Sequence, residues 1–394
     1  MQPMVLSQTE PVNRWAGNRR AAALPLPASG QFGWNWCKKS ARFDPDPCFA
    51  DVRLARRGKI ALLINESMAM SRSVFRLLTC LVCWFAGAIC YPSYANVVVV
   101  LNSRDATVTL LDPVKHHEIS TFAVGKEPHH LMATPDNQSL IVASSVGNEL
   151  FFLDPKTGQL QRRIKDILDP YQIGFSPDQK WFVANALRLD RVDLYRYDGK
   201  NFTLSKRIPL PQLPSHMAFD ANSTTVYITQ QGNHKVSAID LLTQKVKWTM
   251  AVGKLPAGIS MTPDNRYLLV GIMGSDVVEV IDWRRRKIVK RIKAGKGTHN
   301  FRALGDGRHL LVSNRVANTI NIIDQQTLEN VGTIPVPGGP DCMEVTPDGK
   351  TIWATLRWIK KVAVIDVASR SVVKMIPVGR SPHGVYFFNH APRR

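Results

Sequence analysis

The chain has 394 residues, with 51 Lys and Arg against 31 Asp and Glu and 44% apolar side chains. That apolar content excludes a disordered chain and is enough for a packed core, in one large domain or in two or three ordinary ones. The formal net charge of +20 favours anionic ligands or surfaces.

Residues 1–67 are rich in Arg, Trp and Pro without periodicity. They read as a non-structural extension or a mis-assigned gene start, with Met68 or Met70 as the natural first residue. Arg72 and Arg76 then precede an apolar run, Leu77 to Cys90, that is too short to span a bilayer. Ser93-Tyr94-Ala95 places small residues at −3 and −1. Residues 68–95 are therefore expected to be a secretory signal peptide cleaved after Ala95. The mature protein would be periplasmic or secreted, with no membrane span. Gly87, Ala88 and Ile89 make a poor lipid-attachment signal before Cys90. Cys37, Cys48, Cys80, Cys83 and Cys90 all precede the cut, so only Cys342 remains and no internal disulfide is expected.

From residue 96 onward, short apolar runs ending in Asp recur: TVTLLD, ELFFLD, KVSAID, VVEVID, TINIID and KVAVID. They close at Asp112, Asp154, Asp240, Asp282, Asp324 and Asp366, and RVDLYR supplies the missing copy at Arg196. Successive spacings are 42, 42, 44, 42, 42 and 42 residues. A second series, Asp136, Asp178, Asn222, Asp264, Asp306 and Asp348, keeps the same step and carries the same two-residue insertion. Each unit reads as four short strands separated by turn residues. In one unit these are Asp341–Thr346, Thr351–Thr355, Lys361–Asp366 and Val372–Val378. A period near 42 with four strands per unit is the mark of a β-propeller, whereas a β-helix needs far shorter coils.

The phase of the repeat predicts how the ring closes. The first strand after the expected cut, Asn96 to Leu101, is a second strand by register, and the chain ends on an orphan first strand, His383 to Phe388. Pairing these two completes the first blade and removes exposed edges. The expected fold is all-β: a seven-bladed β-propeller of four-stranded blades over residues 96–394, closed by its N- and C-terminal strands.

VASS, VANA, YITQ, LVSN and WATL precede the apolar runs, and V-G-x-x-P follows three of them (Val124-Gly125…Pro128, Val252-Gly253…Pro256, Val378-Gly379…Pro382). On these motifs the chain resembles the YVTN-family β-propeller repeat proteins over nearly all of residues 96–394. Propellers similar to these include periplasmic proteins of unknown role, surface-layer proteins, lactonase-like enzymes and the haem-d1 domain of cytochrome nitrite reductases. The resemblance specifies the fold sharply and the function weakly.

Function on such a scaffold lies where loops converge on the axis. Stacking the repeats puts His129, Tyr171, Ser215, Ala257, His299, Asp341 and His383 at the entry to the innermost strands, and His130, Gln172, His216, Gly258, Asn300, Cys342 and Gly384 one position later. Arg104, Arg188, Arg315 and Arg357 follow the second strands and open on the same end. Any single His or Arg here is more simply a polar residue satisfying backbone or bridging blades. Their clustering on one end points to a ligand-binding axial mouth that attracts an anion, since Arg pairs carboxylate and phosphate well.

No metal is required, because no short chelating spacing exists, although a metal or a haem-like macrocycle fits the same residue types. The absence of C-x-x-C-H excludes covalent c-type haem. No G-x-S-x-G elbow appears, and Asp341 is the sole acidic member of the two rings, so catalysis is not assigned. The basic run from Trp283 to Lys296 reads as a charge-guarded outer strand rather than a nucleic-acid site, and Cys342 as a small buried apolar residue. The expected protein is thus a monomeric binder of an anionic small molecule, cofactor or periplasmic partner. The alternatives are a cofactor-handling or hydrolytic enzyme of the haem-d1-like or lactonase-like type, and a protein-interaction scaffold.

Overall fold

The computed structural model describes residues 96–393, so the expected extension and signal peptide lie outside the described residues. The described chain forms twenty-eight strands in seven four-stranded antiparallel sheets. The first blade contains β1 (Val98–Asn102), β2 (Thr107–Leu111) and β3 (Glu118–Ala123), with the C-terminal β28 (Pro382–Phe387) in the innermost place. Val99 pairs with Tyr386 and Val100 with Val385, so the two ends of the chain close the ring as expected. Every other blade is four consecutive strands, such as Pro340–Val345, Thr351–Leu356, Lys361–Asp366 and Ser371–Pro377. Strand limits differ from the sequence expectation by one or two residues. At the start, Asn96 has a positive φ of 72° and turns the chain instead of extending it.

The second and third strands of each blade read as continuous apolar runs because both of their faces are covered. Val97, Val99 and Leu101 pack on Leu140, Val142 and Phe151 of the second blade. Val98 and Val100, pointing the other way, pack on Trp353, Val362 and Val364 of the last. The same arrangement repeats around the ring, giving seven apolar layers for seven blade-to-blade contacts. Fourth strands face outward and are polar, as in Lys287–Lys293, where Arg291 pairs with Glu279 and Lys290 with Glu329. The basic run is an outer strand.

The repeated Asp has a local cause. At the end of the third strand its carboxylate accepts N–H groups of the following turn, as Asp112 does from Val114 and Lys115 and Asp324 from Gln326 and Thr327. The second series works similarly. Thr134, Ser176, Thr262 and Thr346 donate their hydroxyls to Asp136, Asp178, Asp264 and Asp348. The residue after each of these Asp, from Asn137 to Gly349, takes the left-handed conformation that ends the turn. Among the described residues no helix is long and apolar enough to cross a membrane.

Closure by β28 yields a direct expectation. Deleting residues 380–394 leaves β1 with an unpaired inner edge, and the protein should aggregate or fail to fold when followed by size-exclusion chromatography and thermal melting. A soluble monomer melting with the full-length chain would contradict closure by strand pairing.

Candidate functional site

A bulge at the start of each innermost strand builds the site. Pro340 pairs with Leu356 and Met343 with Ala354, so Asp341 and Cys342 together oppose the single residue Thr355. The same two-against-one step occurs at His299 and Asn300, and at Ser215 and His216. A bulge re-aims side chains, which lets two consecutive residues serve the axis. The third residue of the repeat tetrapeptide holds it. Thr355 accepts the Cys342 N–H at 3.1 Å and donates to the His383 carbonyl, in the next blade, at 2.7 Å. Thr229 does the same for His216 and Ala257.

Six side chains consequently close a ring around the axis. His129 stacks on Tyr171 and His383, with ring centroids 3.8 Å apart in both cases. Tyr171 meets His216 edge-on at 6.1 Å, and His216 meets His299 at 5.2 Å. The fifth blade contributes only Ala257 and Gly258, and a Cβ on Gly258 would stand 2.3 Å from the His299 carbonyl oxygen. Asp341 completes the ring, its Oδ1 3.0 Å from His299 Nδ1 and its Oδ2 3.7 Å from His383 Nε2. The His299 approach is close enough for an ion pair but misaligned for a hydrogen bond. Both His299 nitrogens, Asp341 Oδ1 and His383 Nε2 are therefore buried without partners.

Asp341 has no exposed surface. Burial alone would raise its pKa. Arg315, with Nη2 at 2.5 Å from Oδ2, outweighs that, and the carboxyl is held well below its usual range. Arg357 adds a second contact to Oδ2 at 3.3 Å. The imidazoles are driven the other way. Burial, helped by neighbouring cations, keeps His129, His216 and His383 well below the ordinary value and His299 down at about 4. At neutral pH the cluster thus carries one carboxylate, two guanidinium groups and neutral rings, for a net charge of +1. Arg315 Nε is buried and has no acceptor.

The remaining expected site residues lie elsewhere on this end. Arg188, in the single helical turn Leu187–Leu189, is engaged by Asp169 at 2.6 Å and Glu127 at 3.1 Å. Arg104 is exposed, and no salt bridge to it exists among the described residues. His130 has a buried, unpartnered Nδ1 and a pKa lowered to about 3 by burial and Arg393.

Two features escaped sequence reasoning. Cys342 packs against an apolar layer as expected, but its sulfur also meets Asn300 Nδ2 at 3.1 Å and His383 Nδ1 at 3.6 Å. Toward the other end of the innermost strands, the C-terminal tail is sewn down by Arg302, which donates to Glu344, Ala391 and Pro392, while Arg393 reaches Glu344. A cavity of ≈ 400 Å³ opens there, lined by Met132, Phe219, Met261 and Arg393 among others. It is separate from the histidine ring.

The buried imidazoles make stability depend on pH. His216 binds fewer protons folded than unfolded below pH 6.5, so its contribution is intact above that value and is lost as pH falls. The slope is about 1.4 kcal/mol per pH unit for one such ring. Urea unfolding of His216→Gln should therefore show stability falling less steeply than wild type between pH 6.5 and 4.5. Parallel curves would contradict a neutral, water-excluded His216.

Known proteins resemble this chain over the same region. It is 32% identical to Antigen Lp49 of Leptospira interrogans across 46% of this chain and 44% of that protein, so it spans less than half of this curated relative. The dihydro-heme d1 dehydrogenase NirN, solved in complex with DHE, superposes with a TM-score of 0.56 at 18% identity, covering 74% of this chain and 75% of NirN. Apo AztD from Citrobacter koseri gives 0.57 at 12% identity, covering 76% and 99%. At those identities the likeness to the solved structures establishes the fold. The match to the YncE-like β-propeller family runs from residue 71 to 393, across all seven blades, and the chain belongs to that family.

Proposed function

We propose that this YncE-like propeller is an exported binding protein that captures a small anion, of carboxylate or phosphate type, between Arg315 and Arg357 at the axial mouth. One observation carries the reading. The two half-buried guanidinium groups share a single buried carboxylate oxygen, which leaves a net positive charge and the buried Arg315 Nε without an acceptor. An anion entering from the mouth supplies that acceptor and meets donors already fixed by Asp341, so little ordering remains to oppose binding.

Arg188 is set aside as a binding residue because Asp169 and Glu127 already neutralise it. Export is supported by the apolar run from Leu77 to Cys90 followed by Ser93-Tyr94-Ala95. NirN, whose structure superposes on this fold, is described in complex with DHE, which supports a small-molecule ligand here.

Calorimetric titration of dialysed, chelator-treated protein with inorganic phosphate and with citrate tests the site. Arg357→Gln and Arg315→Gln should weaken binding roughly 10- to 100-fold, the loss of one charge-assisted hydrogen bond of about 1.5–3 kcal/mol. Arg188→Gln should leave it unchanged, and added salt should weaken it. Equal affinity in all three variants would reject the site. A coloured protein from the native host, bleached by His383→Ala, would replace the anion with a cofactor.

A further inference from the structure

We infer that the histidine ring also holds a metal site: a zinc-type divalent transition ion bound by Asp341, Cys342 and His383. The three side chains each present a ligand atom within 4.8 Å of the other two. Cys342 Sγ lies 3.6 Å from His383 Nδ1, while Asp341 Oδ2 approaches the other ring nitrogen, Nε2, at 3.7 Å. One ion takes only one of these nitrogens, and a tetrahedral ion with bonds of about 2.0–2.3 Å sets its ligand atoms roughly 3.3–3.7 Å apart, so the three side chains must draw together by about 1 Å to close around it.

A second observation is independent of that spacing. His383 Nε2 and Asp341 Oδ1 are fully enclosed yet have no hydrogen-bond partner, and both nitrogens of the adjacent His299 share that state. Buried polar atoms left unpaired in such number are costly and call for an occupant. A water-filled ring answers the same need, and metal uptake separates the two. A Cys, His and Asp set suits a borderline-soft ion better than calcium or magnesium, which prefer oxygen alone.

Two ligand charges offset those of the ion and leave the two of Arg315 and Arg357. Arg315 and Arg357 approach through Oδ2 and oppose a dication. On binding, the Cys342 thiol releases its proton to solvent, and thiolate and carboxylate together bring two negative charges to the ion. Three protein ligands leave a fourth position for water, the pattern of an open zinc site. The two sites share the Asp341 carboxylate and differ in their other groups, Cys342 and His383 here and Arg315 and Arg357 there.

Chelator-treated protein is dialysed against Zn(II) and against Co(II), with metal counted by mass spectrometry and the cobalt form followed by visible absorption. The inference expects one equivalent of tightly held metal and a thiolate-to-cobalt charge-transfer band. Cys342→Ser should abolish that band, and His383→Gln should weaken zinc binding at least tenfold. His309→Gln, a half-buried histidine paired with Asp306 away from the ring, should change neither. Apo forms of all variants are compared by thermal melting, so a folding defect is recognised. Arg357→Gln separates the two proposals: it removes a repelling charge, so zinc should bind at least as tightly while phosphate binding falls. No stoichiometric metal in wild type, no thiolate band, or equal zinc affinity in His383→Gln would overturn the inference.

Discussion

A carboxylate sealed away from water is expensive unless cations meet it, and Asp341 is met at Oδ2 by two guanidinium groups, with the neutral rings of His383 and His299 beside it. Its charge organises everything at the axial end of the ring. Arg315 and Arg357 are held inward because Asp341 draws them. The imidazoles remain neutral because they are buried and because those arginines are near. Asp341 fixes the donors of the anion site with one oxygen and leaves the other without a hydrogen bond.

That cluster exists only because the ring is closed. His383 belongs to β28, which reaches the axis by pairing with β1, nearly 300 residues earlier. The seven apolar layers then set the distance between neighbouring innermost strands, so rings on different blades meet at stacking distance. The tetrapeptide hydroxyls convert this scaffold order into site order. Thr355 bonds both the bulge carrying Cys342 and the backbone of His383, so a residue that defines the repeat also positions the site.

The fold was legible because its signals are local and repeated. Each strand-ending Asp caps its own turn, and each apolar run is buried on both faces whatever its neighbours. The axial ring was legible for the same reason: equal steps along the chain become equal stations about the axis, which brought His129, Tyr171, His299, Asp341 and His383 together on paper as in space. Stacking put Ser215 and His216 at successive stations with His216 as the binding residue, and of the two it is His216 that meets the ring while Ser215 bonds Thr229. Charge pairing was less legible. Arg188 and Arg315 lie one position apart in corresponding loops, but Glu127 and Asp169, at the variable position before Pro128 and Pro170, engage only the first. Cys342 meets Asn300, and Arg302 meets Glu344, across one repeat, so the period puts them on neighbouring blades but does not say that they bond, and the tail contacts to Ala391 and Pro392 lie beyond the last repeat.

Two basic surfaces differ in how their charge is met. The outer strand Lys287–Lys293 spends much of its charge on pairs with Glu279, Glu329 and Asp276, while at the mouth the guanidinium groups outnumber the carboxylate they share. The most direct test of the account is a crystal structure of the metal-free protein soaked in selenate, with the selenium located by anomalous scattering. The account predicts a peak within hydrogen-bonding reach of both Arg315 and Arg357. An empty mouth, with selenate found only along the outer basic strand, would contradict it.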